Sequence, residues 1–187
     1  MRMITLPLDE KTARSLKLGE TVYLSGPVVT GRDEMHLRAM SLPDESIPDD
    51  LKGAVLFHCG PIMSRRDDGS WAVIAAGPTT SARMNSVEAG FIRRFGIRAI
   101  IGKGGMSEEV SEAMRETGCV YLAATGGAAI SLAEGLSKCK GCEWEDLGMA
   151  EAMWRFDTSR FGPFIVAMDS EGGSLYRNVT ESLVRDY

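Results

Sequence analysis

The chain has 187 residues, 44% of them hydrophobic and 25% charged, with a formal net charge of −5. This is enough apolar material for one globular domain with a real core, and it excludes a disordered chain. The acidic balance lacks the electrostatic footprint of a nucleic-acid binder, and any anionic ligand must be met by locally concentrated positive charge.

No apolar run reaches the ~18 residues that a membrane-spanning helix needs. Residues 1–20 turn polar and acidic too early for a secretory signal. The expectation is a single domain over residues 1–187 in the cytoplasm, where Cys59, Cys119, Cys139 and Cys142 would stay reduced.

In chain order, residues 1–20 suggest an opening strand and a polar connection, and Thr21–Ser25 a short strand before Gly-Pro. Arg32–Met40 reads as a helix with Asp33 and Glu34 in its first turn, where the helix dipole favours them. Leu42–Asp50 is a Pro/Asp-rich loop, Ala54–Phe57 a buried strand, and Trp71–Ala75 another strand after the turn at residues 65–70. Pro78 stops that strand, Thr79 or Thr80 offers an N-cap, and Met84, Val87, Phe91 and Ile92 fall at helical spacing as far as Gly96.

Two similar units follow. Strand Arg98–Ile101 leads through Gly102-Lys103-Gly104-Gly105 to helix Ser107–Thr117, and strand Cys119–Ala123 leads through Ala124-Thr125-Gly126-Gly127 to helix Ala128–Leu136. Repeated strand–glycine-turn–helix units predict an α/β fold with a substantially parallel sheet. The tail reads as a hairpin, with Phe164–Ala167 and Ser174–Tyr176 flanking residues 169–173.

Ligands of such sheets gather where strands give way to helices. The turns at 77–80, 102–105 and 124–127 each place backbone N–H groups at a helix start, an anion-binding arrangement. Arg83 follows the paired threonines Thr79 and Thr80, and Lys103 lies inside its glycine turn. Hydroxyls, a guanidinium fork and an ammonium suit a small dicarboxylate. None of the turns has the Walker A or dinucleotide-binding spacing. Cys139-Lys140-Gly141-Cys142 lacks a second ligand pair for zinc and reads as a plain surface loop, while Cys59 and Cys119 read as buried structural thiols. His36 is either a structural histidine or a supporting group near the site.

The segments SGPVVTGRDEMHLR (25–38), GAVLFHCGPI (53–62), AAGPTTSARMNSVEAGFIRRFGIRAIIGKGGM (75–106) and ATGGAA (124–129) together resemble the β subunit of class I fumarases and L-tartrate dehydratases, which in single-chain enzymes is the C-terminal domain. The resemblance implies a swivelling β/β/α domain with a mixed sheet. It also implies reversible hydration of fumarate to L-malate, or the corresponding reaction of tartrate. A [4Fe–4S] cluster bound by the α partner, and not by this chain, would act as Lewis acid. Carried over motif by motif, Arg32, Arg83 and Lys103 would bind carboxylates and Thr80 would hydrogen-bond the substrate. Thr79 would be the hydroxyl nearest the proton in transit, and the catalytic candidate. A non-catalytic small-anion-binding module is the reading of another class.

Overall fold

The computed structural model describes residues 1–125 and 127–185. It is a mixed α/β structure whose main sheet has strand order β1-β2-β3-β6-β7-β9-β8. Its strands are β1 (Arg2–Thr5), β2 (Thr21–Gly31), β3 (Val55–His58), β6 (Ala99–Gly102), β7 (Val120–Ala123), β8 (Lys138–Glu143) and β9 (Met153–Met168). The pairings from β1 to β7 are parallel, and β9 runs antiparallel to β2, β7 and β8. Because β9 pairs with both β7 and β2, the ladder returns on itself through β2, β3, β6, β7 and β9.

The parallel strands β3, β6 and β7 are buried on both faces, and their alternating side chains feed two cores. Phe57, Ile101 and Leu122 point into one cluster with Leu24, Trp154 and Phe161. Their neighbours Leu56, Ile100 and Tyr121 point into the other. That second core is roofed by α2 (Asp33–Ser41), α3 (Asn85–Phe95) and α4 (Glu108–Thr117), through Met35, Phe91, Ile92, Val110 and Met114. The period-two alternation of a strand makes this division possible. Helix α3 ends at Gly96, whose left-handed φ of 63° lets its N–H cap the Ile92 carbonyl. No described helix is long and apolar enough to cross a membrane.

Several expectations need correction. Trp71–Ala75 (β5) does not join the parallel sheet; it pairs antiparallel with β4 (Ile62–Arg65) in a separate two-stranded ribbon. The opening connection contains α1 (Glu10–Ser15), N-capped by the Asp9 carboxylate accepting from the Thr12 N–H. Strand β2 runs through Gly26-Pro27 to Gly31, because β9 supports its other edge over the same stretch.

The tail is no hairpin of two strands. Phe164–Ala167 lies in the 16-residue β9, whereas Leu175–Arg185 forms the last helix, α6. The turn between them is held by the Asp169 carboxylate, which accepts from the Glu171 and Gly173 N–H groups. The C-x-x-C is no surface loop either; it lies in β8. Cys139 and Cys142 stand opposite Phe156 and Trp154, residues of one face of β9, because a bulge absorbs the extra residue between them. The short α5 (Ala129–Gly135) completes the third unit.

Candidate active site

The ends of β2, β3 and β6 and the turn after β5 meet at one rim, and backbone hydrogen bonds fix their mutual positions. The Thr79 N–H donates to the His58 carbonyl at 2.7 Å, and the Ser81 N–H donates to the Lys103 carbonyl at 3.0 Å. Thr80 and Lys103 form an isolated parallel bridge, and Cys59 and Pro78 an antiparallel one. Arg32 lies against Gly60, where even a Cβ would meet its guanidinium nitrogen at 2.8 Å. Arg83 pairs with Asp33, the residue after Arg32, at 2.7 Å. Thus Arg32, Thr79, Thr80, Arg83 and Lys103, drawn from distant parts of the sequence, share one rim.

Their surroundings add what the sequence reading missed. Arg32 is paired through Nε with Glu151 at 3.2 Å, and the other Glu151 oxygen accepts from the Glu34 N–H at the start of α2. Two arginines and one lysine therefore face two carboxylates, leaving about one net positive charge before a ligand arrives. Thr79 is half-buried, while Thr80, Arg83 and Lys103 are exposed. Neither threonine side chain caps a helix: Thr80 precedes a 3-10 turn, Ser81–Met84, without a side-chain cap. The cavities of about 330 Å³ beside Val28, Val55 and Phe156 and about 390 Å³ beside Trp71, Ala133 and Cys139 contain none of the five residues.

Beneath the rim runs a buried polar network. His36 on α2, His58 at the end of β3 and Glu88 on α3 all have no solvent exposure. Both imidazole Nε2 atoms face one carboxylate oxygen, Glu88 Oε2, at 3.0 Å from His36 and 3.2 Å from His58. His36 Nδ1 donates to the Arg32 carbonyl at 2.6 Å, since a carbonyl only accepts. His58 Nδ1 pairs with Ser81 Oγ at 2.9 Å, and Ser81 Oγ with the Tyr121 hydroxyl at 2.9 Å. The network ties Arg32 to the Thr79–Ser81 turn from below.

Burial alone would push the Glu88 carboxyl up, but the two imidazoles outweigh it and hold the group down at about 2. Burial likewise opposes charge on both histidines. For His36 the carboxylate and the Arg32 carbonyl prevail and raise its pKa; for His58 burial prevails and lowers it. Glu88 was legible as an anomaly. It falls four residues from both Met84 and Ile92, on the apolar face of its helix, where an acid needs a partner. Those partners are the only two histidines of the chain.

The described thiols do not form a cluster-ligand set. Cys59 and Cys119 are buried, and burial pushes both thiols up, Cys59 to about 12. Among the described residues, the one convergence of three or more His, Cys, Asp or Glu ligand atoms is His36, His58 and Glu88, without sulfur. A cubane cluster is held by three or four thiolates, so the described residues do not fit one.

The family described as fumarase C-terminus matches residues 2–179, and the chain belongs to that family. It is 44% identical over 179 residues to the "Putative L(+)-tartrate dehydratase subunit beta" of Methanocaldococcus jannaschii, covering 94% of this chain and 91% of that one. It is 42% identical over 183 residues to the "Putative fumarate hydratase class I" of Geobacillus stearothermophilus, covering 97% of this chain but 35% of that one. The L(+)-tartrate dehydratase subunit beta of Escherichia coli K12 is 34% identical over 174 residues, covering 93% of this chain and 86% of that subunit.

Proposed function

We propose that this chain is the β subunit of an iron–sulfur hydro-lyase that hydrates fumarate reversibly to L-malate, working with an α subunit that carries the [4Fe–4S] cluster. The observation that carries the reading is the gathering of Arg32, Thr79, Thr80, Arg83 and Lys103 on one rim, stitched by the Thr79–His58, Ser81–Lys103 and Arg83–Asp33 contacts. In a chain of the fumarase C-terminus family, that set of cations and hydroxyls fits a C4 dicarboxylate. The whole chain acts as one domain of the swivelling β/β/α type, bringing this rim to the partner.

In hydration, a hydroxyl is added to one carbon of the double bond and a proton to its neighbour. Arg83 and Arg32 grip the carboxylates, Lys103 adds a point charge, and Thr80 donates a hydrogen bond. Thr79, held by its own backbone bond to His58, presents its hydroxyl where the proton is moved. A threonine hydroxyl is a weak base unless nearby cations lower the cost of its deprotonation. That is the electrostatic task of the surrounding positive charge.

L-tartrate is the second substrate reading. It is favoured by the fact that the chain spans nearly all of the two tartrate dehydratase β subunits but about a third of the fumarase relative. The test is co-expression with the cognate α subunit, anaerobic cluster reconstitution, and assays on fumarate, L-malate and L-tartrate. Turnover of fumarate and malate by the complex, with none by this chain alone, is expected. Exclusive turnover of tartrate would move the assignment to the second reading. A fully clustered complex inactive on all three would overturn both.

A further inference from the structure

His36, His58 and Glu88 are packed at hydrogen-bonding distances but in the wrong directions for hydrogen bonds. His36 Nε2, His58 Nε2 and both Glu88 carboxylate oxygens are fully buried, yet none of the four has a directed hydrogen-bond partner among the described residues. This holds although Nε2 and Oε2 are only 3.0 and 3.2 Å apart. A hydrogen bond weakens steeply when the acceptor lies well off the N–H axis. Buried polar atoms left without partners are uncommon in folded proteins, and four converging on one point call for a cause.

The proton count sharpens the problem. A neutral imidazole has one N–H, and His36 uses it on the Arg32 carbonyl at 2.6 Å. As a neutral ring it then turns the Nε2 lone pair toward the Glu88 carboxylate, also an acceptor, a conflict that a second proton on His36, which the carboxylate favours, would relieve without supplying the missing alignment. A cation between them removes the conflict. Two donor atoms bound to one metal at ~2.1 Å, at angles from a right angle to tetrahedral, lie ~3.0–3.4 Å apart, each to the side of the other's lone-pair axis. That is the observed pattern of near approach without alignment.

We propose that His36 Nε2, His58 Nε2 and the Glu88 carboxylate form a structural site for one divalent first-row metal ion, Zn²⁺ in the first instance. Two imidazoles and a two-oxygen carboxylate supply four donors, the number that a closed zinc site uses. The far ring nitrogens are oriented as in established metal sites, His36 Nδ1 by a backbone carbonyl and His58 Nδ1 by the Ser81 hydroxyl at 2.9 Å. The ligands are fully buried, so the ion is taken up during folding and not through an open channel. It bolts α2, β3 and α3 together directly under the rim. It is separate from any iron–sulfur cluster, and its test does not depend on hydro-lyase activity.

The experiment uses the full chain expressed without a partner, so that no partner iron contributes. Elemental analysis is expected to find about one zinc or iron per chain. Unfolding in chelator, then refolding with Zn²⁺ alone, should restore a melting temperature that chelator-refolded chain lacks. Refolding with Co²⁺ should give the visible absorption of a low-symmetry nitrogen and oxygen site, a readout that requires no variant. Glu88→Gln and His58→Asn should lose the metal, whereas the double substitution Cys139→Ser, Cys142→Ser should keep it. A chain without stoichiometric metal, insensitive to Zn²⁺, Fe²⁺ and Co²⁺, would show that the three residues form a protonated imidazolium–carboxylate pair only, and would overturn the proposal. So would loss of the metal on removing the two cysteines.

Discussion

Arg83 reaches from the turn after β5 to Asp33 at the first position of α2, with 2.7 Å between guanidinium nitrogen and carboxylate oxygen. The pair joins the two loops that hold most of the proposed substrate contacts, and it sets the direction in which the guanidinium points. Its arginine is half exposed, so its value to folding is small, on the order of 0–1 kcal/mol for pairs in water. Asp33→Asn should therefore leave the melting curve nearly unchanged while lowering kcat/KM of the assembled enzyme about tenfold, because Arg83 loses its anchor. Equal activity of mutant and parent would show that Arg83 needs no such anchor.

Arg83→Lys keeps the charge but loses the planar fork, and Lys103→Met removes a charge from an exposed turn. Charge-assisted hydrogen bonds are worth roughly 1.5–3 kcal/mol. Either substitution should thus cost about ten- to several-hundredfold in kcat/KM, measured by steady-state kinetics on the reconstituted complex with cluster content verified. Chain stability should not change. Near-normal kinetics in both would remove the substrate from this rim.

Thr79 is tested by splitting its side chain from its backbone. The N–H to the His58 carbonyl survives any substitution except proline, so Thr79→Val should fold normally. Loss of a group that handles a proton costs typically 10²–10⁴-fold. We expect a fall of about that size in kcat with KM changed by less than about threefold, and recovery to within about tenfold in Thr79→Ser. An equal loss in the serine variant would assign Thr79 to packing.

Gly102 ends β6 beneath the rim. A Cβ there would stand 2.0 Å from Ser81 Oγ and 2.9 Å from the Tyr121 hydroxyl, both in the buried network. Gly102→Ala should destabilise the chain by about 1–3 kcal/mol, as overpacking does, in chemical denaturation. The added methyl also displaces the Ser81 hydroxyl from His58, so activity should fall with stability.

How far these features were legible varied with their physics. The strand–turn–helix units at 98–117 and 119–136 follow from local chemistry: apolar runs, glycine turns, and caps such as Ser107 accepting from the Val110 N–H. The full length of β2 and of β9, and the existence of β8, depend on partners far away in sequence. Nothing near Met153 says that a strand there will find Val29 across the fold. Pro27, normally a strand breaker, is accommodated opposite Asp157 for the same non-local reason. Thr79, Thr80, Arg83 and Lys103 were legible from the turns that carry them, and Arg32 came from motif resemblance. Asp33 and Glu151, which neutralise two of them, came from tertiary contacts that no local pattern announces.

The closed ladder has a consequence for synthesis. On a ribosome, β2 emerges long before β9, yet the two share an antiparallel ladder from Thr21↔Ile165 to Val29↔Arg155. Until Met168 has left the exit tunnel, one edge of β2 and one edge of β7 present unpaired N–H and C=O groups. Such edges recruit stray strands. The nascent chain is therefore at its most vulnerable through most of its translation, and is relieved only when its last strand slots between two that have been waiting for it.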